Sequence, residues 1–197
     1  MFQLLLSTAA VAGALTAAPV PAADTATFMI DKTHSELTFR IRHMMSRVSG
    51  TFGDWKGTIS GDPAAWSGGS TEIVIQTTSI DTRNEKRDNH LRSADFFDAA
   101  THPQITFKST SVVVAGNAVT LQGELTMRGV TKAMTLTGEY LGSAGEGPGK
   151  QRVGFHVTGT INRMDYGVAY NRLLETGGVL LGDDVELDIS IEAVRAP

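Results

Sequence analysis

The side chains best equipped for chemistry in this sequence are five histidines, set in a chain without cysteine. Histidine binds transition metals and moves protons near neutral pH, so the spacing of these residues is the first test. His34 and His43 are an odd number of positions apart and face opposite sides of one extended segment. His90 and His102 fall in different elements, and no H-x-x-x-H pair or acidic triad accompanies them. A metal centre is therefore not expected. His34 fits a structural role instead, joining Asp31, Thr33 and Ser35 in hydrogen bonds that fix the start of a strand.

His43 and Arg163 differ from the rest because each continues an apolar face. His43 follows Leu37, Phe39 and Ile41, and Arg163 follows Val157 and Ile161. A polar group on a dry face needs a partner. It either meets the polar end of a ligand or is satisfied internally, by a carboxylate such as Asp165 or by backbone. The second is the commoner arrangement for buried polar groups. No G-x-S-x-G, dinucleotide fingerprint or phosphate-cradling glycine loop is present, so neither catalysis nor a cofactor is expected.

From Phe28 onward the elements that must position these residues announce themselves by alternation with period two. Apolar residues recur on one side in Leu37, Phe39 and Ile41; in Ile73 and Ile75; in Ile105 and Phe107; and in Val119, Leu121, Leu125 and Met127. The pattern returns in Val153, Phe155, Val157 and Ile161, and in Val185, Leu187, Ile189 and Ile191. One-sided strands joined by short turns make an antiparallel, all-β domain; a parallel sheet would show continuous apolar runs and helical crossovers. Turn residues fall at Ser60-Gly61-Asp62-Pro63, Ala115-Gly116-Asn117, Arg128-Gly129, Gly142 to Gly149 and Gly182-Asp183-Asp184. About eight strands result. Between Thr82 and Phe97 the charged stretch predicts one short helix. Asp81 or Thr82 would cap it, Leu91 would point inward, and Ser93-Ala94-Asp95 would end it before Phe96 and Phe97.

Such strands form either a sandwich or a closed barrel. In a barrel of about eight strands the interior is filled by side chains or holds one small ligand. Gly50, Gly123, Gly138 and Gly159 share the inward phase and are expected to leave volume, although glycine in strands also marks bulges. An apolar lumen would favour a hydrocarbon chain, each buried CH₂ contributing about 0.8 kcal/mol. Phe39, Phe52, Trp55, Phe96, Phe97, Phe107 and Phe155 are the aromatic anchors, as core or as cavity lining. Phe96 and Phe97 follow the helix, so one of them is placed to cover the entrance.

The net charge of -4 and the absence of any Lys/Arg-rich run exclude nucleic acid as an expected partner. Residues 1–22 are uncharged, apolar and followed by small residues, which predicts a signal peptide cleaved after Ala22 or Ala23. A single domain over 23–197 would remain, exported to the periplasm. A retained anchor is the competing reading, which Pro19 and Pro21 oppose.

Several stretches carry a resemblance. They are Ile30-Asp31-Lys32-Thr33-His34-Ser35, Arg87-Asp88-Asn89-His90-Leu91, Asp95-Phe96-Phe97-Asp98, His102-Pro103-Gln104-Ile105-Thr106-Phe107, Gly123 to Lys132, and Ile161-Asn162-Arg163-Met164-Asp165-Tyr166-Gly167. In their order and spacing the chain resembles the YceI-like family of lipocalin-like, polyisoprenoid-binding periplasmic proteins. The resemblance implies an extended antiparallel eight-stranded barrel with one short helix, holding an isoprenoid quinone, a polyprenyl compound or a similar long-chain lipid. The expected lumen residues are Phe39, Ile41, His43, Phe52, Trp55, Phe96, Phe97, Phe107, Phe155, Ile161 and Arg163. The lipid would be ligand rather than cofactor, and transient membrane contact and a homodimer are further expectations. The competing functions are an enzyme acting on a quinone or polyprenyl substrate, through His43 or Arg163, and a stress-related protein-interaction module.

Overall fold

The computed structural model describes residues 25–145, 150–173 and 179–197. The expected signal peptide, and residues 146–149 of the glycine-rich turn, lie outside the described residues. The strands in chain order are β1 (Ala26–Ile30), β2 (Glu36–His43), β3 (Ser46–Phe52), β4 (Trp55–Gly61), β5 (Ser70–Gln76) and β6 (Ile80–Asp81). After helix α1 (Glu85–Arg92) come β7 (Gln104–Ala115), β8 (Ala118–Met127), β9 (Val130–Gly145), β10 (Gln151–Asn162) and β11 (Leu181–Arg195).

Eleven segments make eight staves. β1 and β2 both lie along β11 and are divided only by a 3-10 turn at Lys32–His34. In the same way β4 pairs with β1 and β3 with β2, while β5 pairs with β4 and β6 with β3. β7 to β11 follow as an antiparallel meander, and β11 returns to β1 and β2 to close the barrel. Closure leaves no open edge between the first and last staves.

The hairpins follow local turn chemistry. Arg128 and Gly129 have φ of 51° and 75°, the mirror-image turn that suits the right-handed twist of strands, and join Met127 to Val130. Gly182-Asp183-Asp184 is not a turn. It lies inside β11 as a bulge, between the pairs Leu181 with His43 and Val185 with Ile41. The same Gly and Asp types serve both geometries, so composition alone did not separate them.

Helix α1 starts later than the sequence suggests. Asn84 is its cap, accepting from the Arg87 amide at 3.0 Å. Asp81 instead accepts from the Arg83 amide at 2.7 Å, and Thr82 is buried beneath the helix. The buried Asp88 carboxylate accepts from the Thr82 amide at 3.0 Å and from its hydroxyl. Arg92 donates to the carbonyls of Thr78 and Ile80 at 2.7 and 2.9 Å. A helix whose apolar content is little more than Leu91 is thus held by polar clamps, with Leu91 half-buried against the core.

Candidate functional site

The inward faces of the staves do not meet. They enclose a cavity of about 700 Å³ with an aliphatic and aromatic lining, within the size range of small-molecule sites, about 300–1,000 Å³. Phe39, Ile41, His43, Phe52, Phe96, Phe97, Phe107, Phe155, Ile161 and Arg163 all line it. Trp55 does not: it is buried in the core between β4 and its neighbours, 5% exposed. The indole at the cavity belongs to Trp66, in the loop after β4.

Trp66 helps close one end. Its ring meets Phe28 at 5.4 Å, Phe155 edge-on at 5.2 Å and Tyr140 at 6.0 Å between centroids. The residue is buried with φ of 52°, a strained backbone for a bulky side chain, and its indole N–H has no hydrogen-bond partner among the described residues. No period-two pattern runs through this loop, so the alternation signal passed over it. Met134 and Leu136 of β9 also line the cavity, and there the alternation with Gly138 and Tyr140 was present to be used.

The inward glycines do not create the space. A Cβ on Gly50 would lie 2.5 Å from Phe39 Cζ, one on Gly123 2.3 Å from Phe107 Cζ, and one on Gly159 2.6 Å from Leu136 Cδ2. On Gly138 it would strike the His156 carbonyl at 1.9 Å. These glycines let rings and neighbouring strands approach closely. The lumen arises because the remaining side chains are too short to reach across the closed barrel.

At the other end, α1 and the segment after β10 surround the opening. Phe96 is buried between the His90 and Tyr170 rings, each at 5.0 Å, while Phe97 meets Phe52 edge-on at 6.1 Å. Arg163 organises this end. Its side chain is 3% exposed and donates to the carbonyls of Gly182 (2.8 Å), Val168 (2.5 Å) and Tyr170 (3.0 Å), with Asp183 at 3.2 Å. Its acidic partner is therefore Asp183, not Asp165. Burial pushes the guanidinium below its ordinary range, and Asp183 acts against that.

His34 accompanies Asp31 at 2.9 Å on the outside, where Ser35 exchanges two hydrogen bonds with Glu192 backbone. Asp31, His34 and Glu192 bring three possible metal ligands together. The Arg152 guanidinium occupies their midst, donating to Asp31 at 2.8 Å and to Glu192, and supplies the positive charge. Arg152, then His34, holds the Asp31 carboxyl well below the usual carboxylate range.

The fold has close relatives. A BcnA structure from Burkholderia cenocepacia superposes with a TM-score of 0.72 at 25% identity, covering 84% of this chain and 99% of that one. A polyisoprenoid binding domain from Saccharophagus degradans, implicated in plant cell wall breakdown, gives 0.64 at 17% identity over 86% and 98% of the two chains. A UPF0312 protein of Staphylococcus aureus (strain N315) is 43% identical over 167 residues, 84% of this chain and 95% of its own length. The family model of the YceI-like domain matches residues 28–193, the whole of the closed barrel but for its outermost residues, and the chain belongs to that family.

Proposed function

We propose that the barrel carries one long-chain isoprenoid lipid, an isoprenoid quinone or a polyprenyl compound, in its lumen and performs no chemistry on it. The observation that carries this is the cavity of about 700 Å³ walled by residues such as Leu121, Leu125, Met134, Leu136, Leu187 and Ile189. Each CH₂ moved from water into such a wall contributes about 0.8 kcal/mol, so chain length governs affinity. The polyisoprenoid-binding neighbour from Saccharophagus degradans supports the same class of ligand. Against catalysis, Arg163 is committed to three carbonyls and Asp183.

In this reading the carrier works in the periplasm, which the leader-like character of residues 1–22 supports. Transfer takes place by transient membrane contact through the rim. Met44 (47% exposed), Met45 (104%) and Leu173 (85%) project there, in adjacent turns tied by the Met44 amide to the Leu180 carbonyl and the Leu180 amide to the Arg172 carbonyl. Exposed apolar side chains grouped at an opening suit a lipid interface better than water.

Solvent extraction of protein purified from its own bacterium, followed by mass spectrometry, tests the reading. One isoprenoid per chain, recovered unchanged after prolonged incubation, is the expected result. A lipid-free protein that also fails to take up isoprenoid in vitro refutes it, and turnover of the bound lipid would make the protein an enzyme.

A further inference from the structure

Resting on that carrier reading, we infer that the open end of the cavity is a cationic collar which selects isoprenoids bearing an anionic, phosphate-type head group. The lining includes His43, Lys86, Arg87, His90, Arg163 and Arg172, and among the described residues no aspartate or glutamate.

Several of these basic residues lie along one chain of contacts. His90 on α1 packs on the Tyr170 ring at 4.9 Å. Two residues on, the Arg172 carbonyl accepts from Leu180, whose own carbonyl accepts from Met44, next to His43. Lys86 and Arg87 lie in the first turns of α1, after the cap Asn84, which also lines the cavity.

Two of these six, His90 and Arg163, are already paired with acids, Asp95 at 2.8 Å and Asp183, which leaves Lys86, Arg87, Arg172 and His43 as the collar's free donors among the described residues. Asp88 and Asp81 are held by other groups: Asp88 is buried on Thr82, and Asp81 accepts from the Arg83 amide. Arg87 uses Nε and Nη2 on Thr82, both at 2.7 Å, which leaves Nη1 with no acceptor among the described residues. The side chains of Lys86, Arg172 and His43 likewise have no acidic partner among the described residues.

Unneutralised cations beside an apolar tunnel favour a ligand that is negative at one end and oily along the rest. A phosphate ester fits best, because its three outer oxygens accept from donors converging from separate elements, here a helix, a strand end and a loop. Such charges at an opening act strongly at low salt and are screened at high salt, the Debye length falling from about 10 Å at 0.1 M to about 3 Å at 1 M.

The test compares geranylgeranyl phosphate, geranylgeraniol and inorganic phosphate on the lipid-stripped full-length protein by titration calorimetry. Wild type is expected to bind the phosphate ester at least tenfold more tightly than the alcohol at low salt, with the ratio falling in 1 M salt. Joint substitution Lys86→Gln and Arg172→Gln, at exposed positions, collapses the ratio towards one. Lys132→Gln, away from the cavity, leaves it unchanged. Equal affinities in wild type, or a ratio untouched by the double substitution, overturn the collar while the carrier stands. Inorganic phosphate binding as tightly as the ester overturns the head-group assignment in favour of a free-anion site. Failure of both prenyl compounds to bind removes the carrier and the collar together.

Discussion

Replacing Arg163 by methionine is expected to weaken folding by about 3–5 kcal/mol, the loss of its charge-assisted hydrogen bonds to buried carbonyls. The figure follows from what the guanidinium holds. Its side chain is 3% exposed, and it satisfies the carbonyls of Gly182, Val168 and Tyr170, on two segments of the cavity's open end. A hydrogen bond from a charged donor contributes about 1.5–3 kcal/mol, and three such bonds fall short of additivity because the freed carbonyls regain some water. Asp183 is a different matter, since its side chain is 54% exposed and lies 3.2 Å from Nη2. An exposed pair of this kind is worth about 0–1 kcal/mol, so Asp183→Asn should cost little. Urea unfolding of the two variants measures both quantities. For a domain of this size each kcal/mol lowers Tm by about 2–4 °C, so Arg163→Met should melt well below wild type and Asp183→Asn close to it. Equal losses in the two variants would show that the ion pair, and not the carbonyl clamp, is what Arg163 provides. A loss below about 1 kcal/mol in Arg163→Met would refute the clamp itself.

Other substitutions probe the lumen and the surface. Gly50→Ala should cost about 1–3 kcal/mol by overpacking, because its Cβ would fall 2.5 Å from Phe39 Cζ and 2.8 Å from Thr82 Cγ2; in a Phe39→Leu background most of that cost should vanish, and an unchanged cost would disprove the ring contact. Ile161→Trp puts a ring into empty space, so lipid captured per chain should fall while urea midpoints of the lipid-free protein hold; full capture would place Ile161 away from the tunnel. Arg152→Gln should raise the Asp31 pKa towards its ordinary value, read by NMR titration of the carboxyl. In wild type this depressed carboxylate adds stability that is fully present above its unfolded pKa of about 3.9 and is lost as pH falls through the lower folded value. The variant should therefore show a flatter loss of stability below about pH 4, and an identical acid limb would contradict the pairing.

The inward faces were legible because alternation depends only on side-chain geometry along a strand. Leu37, Phe39, Ile41 and His43 share a face in sequence and in the barrel. What alternation could not carry was discontinuity. The breaks at Lys32–His34 and Thr77–Ser79 keep each stave running in one direction, so pattern alone does not tell a bend from a new strand. Gly50 and Gly123 leave no space, against expectation, because their volume is taken by Phe39 and Phe107, which reach in from neighbouring strands. Trp55, expected at the lumen, packs in the core, and Trp66, in a loop that alternation does not reach, stands at the cavity instead. The collar was hidden for a plainer reason: Lys86 and Arg87 sit in a helix of such polarity that it reads as a solvated surface.

The Trp66 indole N–H, without an acceptor among the described residues, has a practical consequence. The chain has two tryptophans, and of these only Trp66 touches the cavity. A Trp55→Phe protein would hold a single tryptophan, at the Trp66 end of the cavity, with no acceptor on its nitrogen among the described residues to fix its emission. Its colour and its accessibility to quenchers would then register arrival of the far tip of a hydrocarbon chain, separately from events at the cationic rim. One optical signal would thus time how deeply the tunnel fills.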